Sequence, residues 1–130
     1  MATKIKLKSV ISGYNALQEL IAADKTNKFI FASATRIKFA GNVRRARPLY
    51  EDYLNVRNVL IEKFGTKQPN GSFMILPTSE GAASFSKEDK DALEVAVDIK
   101  FHPVKTSDLG ENQISIDTLE ALLEAGLVTE

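Results

Sequence analysis

Cysteine is absent from this 130-residue chain, which excludes a disulfide framework and thiolate chemistry. Histidine occurs once, as His102, and a lone imidazole acts as a general base only with an orienting group and a reactive partner. No Gly-x-Ser-x-Gly nucleophile motif accompanies it. His102 therefore reads as an exposed residue on the polar face of a strand. With one histidine and no cysteine, carboxylates are the main candidate metal ligands. Glu88, Asp89 and Asp91 lack the spaced oxygens and turn glycine of a calcium loop, and read as the negative first turn of a helix. Gly65, Gly71, Gly81, Gly110 and Gly126 lie too far apart for a Walker or dinucleotide pattern. No apolar run approaches the roughly 18 to 20 residues of a membrane span, and the start of the chain alternates lysine with apolar residues, unlike a signal peptide. The expectation is a non-enzymatic protein with no catalytic, cofactor or metal site and no membrane partner.

What is present is ordinary in amount and uneven in arrangement. A hydrophobic fraction of 44% and a charged fraction of 26% suit a globular α+β domain. Net charge is zero, yet residues 1–50 hold ten Lys or Arg against Glu19 and Asp24, a net +8, and residues 51–130 hold seven against fifteen acids, a net −8. Three readings follow: the halves neutralise each other within one molecule, identical subunits associate head to tail, or the basic half meets a polyanion. The basic stripe Lys28, Arg36, Lys38, Arg44, Arg45 and Arg47 is the candidate partner-binding feature, because no acid interrupts it before Tyr50. On a helix Arg36, Arg44 and Arg47 share one side and could track phosphates. The aromatics that might stack on bases, Phe39, Tyr50 and Tyr53, lie on the apolar stripe, and no zinc-finger, RNA-recognition or basic-zipper motif occurs.

The chain is organised around Asn27 to Phe64. Phe39, Val43, Ala46, Tyr50, Tyr53, Leu60 and Phe64 follow a three/four spacing widened by Leu54, Val56 and Ile61, which predicts a long helix stopped by Gly65. Pro48 interrupts it, at a cost of roughly 3 kcal/mol in a helix interior. The helix either kinks there or breaks into two, and the kink is preferred because Arg47 is a poor N-cap. Before it, Lys4 to Lys8 reads as a short strand or basic lead-in. Ser9 or Ser12 caps a first helix to about Ala23, with Gly13 weakening it only locally and Asp24–Asn27 turning the chain into a helical hairpin. After it, Phe73–Leu76 and Val95–Phe101 read as strands, paired antiparallel. Thr78–Phe85 reads as an exposed loop, and Ser86 as the start of a short helix. Ser115 caps a last helix with Ile116, Leu119, Leu122 and Leu123 inward and Gly126 as its stop, followed by Leu127 and Val128 as a docking tail. The whole is expected to be a single domain over 1–130, with the helical hairpin at about 9–64 and a small antiparallel sheet plus short helices at about 72–128.

The segments Arg57-Asn-Val-Leu60-Ile61-Glu-Lys63-Phe64-Gly65, Val95-Ala-Val97-Asp-Ile99, Ser107-Asp108-Leu109 and Ile114-Ser115-Ile-Asp-Thr-Leu119-Glu-Ala-Leu122 occur in that order. In this the chain resembles a group of small uncharacterised proteins of tailed bacteriophages and prophages. It departs from the group in Pro48 and in the shortness of the helix before the Val95 strand. The resemblance implies a phage origin, location in the host cytoplasm or the virion, and no catalytic residues. It points first to a virion or assembly protein that works as a homo-oligomer or with other virion proteins. The alternatives are an accessory protein that inhibits a host factor and a nucleic-acid binder using the basic helix.

Overall fold

The helix α1 (Leu7–Lys25) forms because Val10, Tyr14, Leu17 and Leu20 recur on one face, and all four are buried. The structure is a computed structural model describing residues 3–130. Strand β1 (Thr3–Lys6) runs directly into α1, whose N-cap is Lys6 without a side-chain cap, so neither Ser9 nor Ser12 starts the helix. The other end is a Schellman stop: Lys28 N–H bonds the Ala23 carbonyl at 2.9 Å and Asn27 N–H bonds the Asp24 carbonyl at 3.1 Å. Asn27 takes the required left-handed conformation, φ +62°.

The long helix α2 spans Ser33–Phe64, beginning six residues later than Asn27, and it is one unbroken element through Pro48. The alternative of two helices is thereby corrected. Proline removes only one backbone hydrogen bond, that to the Arg44 carbonyl, while Ala46 before it is buried and Leu49 and Tyr50 after it are partly buried against the core.

The chain divides into two compact units, the first comprising residues through Tyr50 together with Ala96–Glu130 and the second Glu51–Val95. In the first, α1 and the first half of α2 form an antiparallel hairpin. Asp24 meets Arg36 near the turn, and Tyr14 stacks on Tyr50 further along, with ring centroids 4.6 Å apart. Strand β4 (Ala96–Ile99) pairs antiparallel with β1, Ile5 opposite Val97, which corrects the expected pairing with Phe73–Leu76. A period of two tells which face of a strand is apolar and says nothing of its neighbour. The run β5 (Val104–Lys105), a 3-10 turn (Thr106–Leu109) and helix α4 (Ile116–Glu124) leads to β6 (Val128–Thr129), which lies parallel to β5. Ser115 caps α4, accepting the Thr118 N–H at 3.2 Å, and Gly126 ends it at φ +76°, as the sequence suggests. Leu122, Leu127 and Val128 are buried against Val10 and Leu17, each such side chain contributing about 1.5–3 kcal/mol. Ile116 and Leu123, expected inward, face solvent.

The second unit contains the rest of α2, the hairpin β2 (Thr66–Lys67) and β3 (Phe73–Met74), and helix α3 (Glu80–Leu93). The hairpin turn uses Asn70, whose carboxamide oxygen accepts from Ser72 N–H and Oγ, and Gly71 at φ +90°. The segment read as a loop with a helix from Ser86 is helical from Glu80, with Ser79 at its N-cap. The reason lies in packing. A side chain at Gly81 would collide with the Phe64 backbone, Phe85 is buried under Arg57, and Tyr53 donates to Asp89. Those contacts descend α3 as they ascend α2, so the two helices are antiparallel.

Candidate interaction surfaces

Two asparagines hold irregular backbone in the first unit. Asn42, on α2 and 1% exposed, donates its amide to the His102 carbonyl at 2.8 Å and accepts the His102 N–H at 2.9 Å. Asn112 does the same for Ile30, accepting its N–H at 2.9 Å and donating to its carbonyl at 2.8 Å. Each carboxamide stands in for one rung of a strand ladder, pairing both the N–H and the carbonyl of one residue. The imidazole of His102 is exposed, and the backbone of this residue makes its structural contacts.

The six residues of the basic stripe fall in different situations. Arg36 forms a two-pronged pair with Asp24, 2.7 and 2.8 Å, which holds the Asp24 carboxyl below its ordinary range, chiefly through the hydrogen bond. Its charge is spent on closing the α1–α2 hairpin. Arg45 folds back to donate to Asn42 Oδ1 at 3.3 Å, and a Cβ at Gly41 would lie 2.8 Å from its guanidinium. Lys28 lies outside the helix, its ammonium 5.7 Å from the Phe29 ring centroid. Lys38, Arg44 and Arg47 stand exposed on α2, and among the described residues no carboxylate pairs with them.

A cleft of about 290 Å³ in the first unit lies between α1, Lys28–Phe29 and the start of α4. Three of its polar side chains bond one another: Ser115 Oγ donates to Thr118 Oγ1 at 2.8 Å, and Thr118 Oγ1 donates to Glu19 at 3.1 Å. Among the described residues no three acidic or histidine side chains converge as metal ligands. No family model, curated protein or solved structure matches this chain.

The features that sequence reasoning missed are apolar and exposed. In the second unit Phe85 is the one buried hydrophobic side chain among the described residues, while Val56, Val59 and Met74 are 47%, 62% and 52% exposed. Leu54 and Val56, read as part of the packed stripe, lie on its outer margin. Tyr53 anchors α2 to α3. Its hydroxyl donates to Asp89 at 2.7 Å, and its ionisation is pushed up to about 12, first by burial and then by the Asp89 carboxylate. In the first unit Ile30, Ile37 and Ile116 are 73%, 71% and 74% exposed. Among the described residues no helix is long and apolar enough to cross a membrane, so these side chains do not belong to a spanning helix.

Proposed function

We propose that this chain is a non-enzymatic structural or assembly protein of a bacteriophage, acting through protein–protein contacts. The observation supporting the interaction role is the second unit's surface, where Val56, Val59, Met74 and Val95 are each about half exposed or more while Phe85 is its one buried hydrophobic side chain. A folded unit that leaves so much apolar surface in water gains from a protein surface that covers it. The phage setting rests on the sequence resemblance. Light scattering coupled to size exclusion, together with binding to purified virion proteins, tests the role. The expected result is a defined oligomer, a complex with a virion protein, or both, weakened by Val59→Glu. A strictly monomeric chain that binds no virion component would overturn it.

A further inference from the structure

Two helix faces of the first unit are complementary in charge and alike in presenting bare isoleucine. On α4, Ile116, Glu120 and Leu123 follow one another at four- and three-residue spacing along a single row. Asp117 and Glu124 lie along one flank of that row and with Glu120 make the face acidic, and the helix carries no basic residue. Ile116 is 74% exposed and Leu123 36%. On α2, Ile37 is 71% exposed, with Arg44 two turns on in the same row. Lys38 and Arg45 run along one flank of that row and Arg47 along the other, and no acid occurs from Ser33 to Tyr50. A branched apolar side chain in water surrounded by charge of one sign is unfavourable alone. Opposing the two faces buries both isoleucines and sets arginine against glutamate.

We infer that the Ile116–Leu123 face of α4 in one copy docks on the Ile37–Arg47 face of α2 in the next, joining copies head to tail. This deepens the assembly role proposed above and rests on it. The occupant is a second copy of the chain because the partner chemistry each face requires, an apolar knob ringed by the opposite charge, is supplied by the other face. The contact is heterologous, since the two faces differ, so a copy can offer α4 to one neighbour and α2 to another. Interface charges of this kind are screened by salt.

The test uses two full-length variants, Arg44→Glu with Arg47→Glu on α2, and Glu120→Lys with Glu124→Lys on α4, their folding checked by circular dichroism. Mass is read by light scattering at about 50 mM and about 500 mM salt, where screening lengths differ severalfold. Wild type is expected to assemble at the lower salt and loosen at the higher. Each variant alone should fall to the 14.3 kDa monomer, and an equimolar mixture should reassemble, because each reversed face then meets a reversed complement. Variants that assemble as wild type does would overturn the inference. If Val59→Glu then dissociates that assembly, the assembly role stands without these faces. A wild-type monomer at both salts overturns the inference, and failure to bind virion proteins as well removes the role itself. Salt-sensitive binding of random-sequence duplex DNA or RNA by the monomer, lost in the α2 variant alone, would assign that face to nucleic acid and equally overturn it.

Discussion

Gly13 packs against the end of α4 and the residues that follow it, and two opposed effects decide what a side chain would do there. Alanine is favoured over glycine in a helix by about 1 kcal/mol. A Cβ at Gly13, however, would stand 2.5 Å from Ala125 Cβ and 2.9 Å from Leu127 Cδ1. Ala125 is completely buried and Leu127 is 2% exposed, so neither neighbour can yield without moving the segment that carries it. Overpacking of this kind costs about 1–3 kcal/mol and outweighs the propensity gain. Gly13→Ala is therefore expected to destabilise the chain by up to about 2 kcal/mol, read as a lower urea midpoint at unchanged slope. A midpoint equal to or above wild type would show that α4 shifts freely on α1. The sequence alone suggests only a local weakening at Gly13, because intrinsic propensity is a property of one helix and the requirement for glycine comes from another. The same holds for Asn42, whose place mid-helix gives no sign that its carboxamide supports the backbone at His102.

At the scale of elements, the ends marked by local chemistry are legible in the sequence, and the partnerships are not. Ser115 and Gly126 bound α4 because a hydroxyl cap and a left-handed stop act within one turn. The α1–α2 hairpin is readable from periodicity and the polar turn, while the use of Arg36 in pairing with Asp24 is not, since it depends on how the turn closes. The partner of β4 is β1, from the far end of the chain, and no local signal encodes it. Helix α3 is hidden by its Gly-Ala-Ala-Ser start, whose small residues suit a loop until Gly81 is seen against Phe64. The α2–α3 contact also makes a pH-dependent prediction. Tyr53 ionises near pH 12 in the folded chain against 10 for an ordinary phenol. Folding favours the neutral form, so this contribution is complete below pH 10 and is lost as pH rises from 10 through about 12. Titration of Tyr53 by NMR should show the late ionisation, and Asp89→Asn should lower it while leaving it above 10, since burial is the larger cause. An Asp89→Asn curve superimposable on wild type would mean that Asp89 exerts no hold on the hydroxyl.

For the whole molecule, the decisive contrast is in what each unit buries. The first unit draws on both ends of the chain for a core that includes Val10, Leu17, Leu20, Val104 and Leu122, each at most 1% exposed. The second has Phe85, 9% exposed, as its anchor. Opening free energy follows buried apolar contact, so the two units should differ in how readily they open. Hydrogen exchange read by mass spectrometry is expected to show residues 51–95 exchanging well before α1 and α4. Phe85→Ala removes the anchor at a cost of about 3 kcal/mol, which corresponds to roughly a hundredfold faster exchange within 51–95. Protection in α1 and α4 should be unchanged. Equal acceleration in both units would mean that they unfold as one and would overturn this reading. If instead the effect stays within 51–95, and assembly slows exchange there, the exposed side chains Val59 and Met74 are covered by a partner. In that case binding would stabilise the weakly held unit by mass action, and assembly would be coupled to folding.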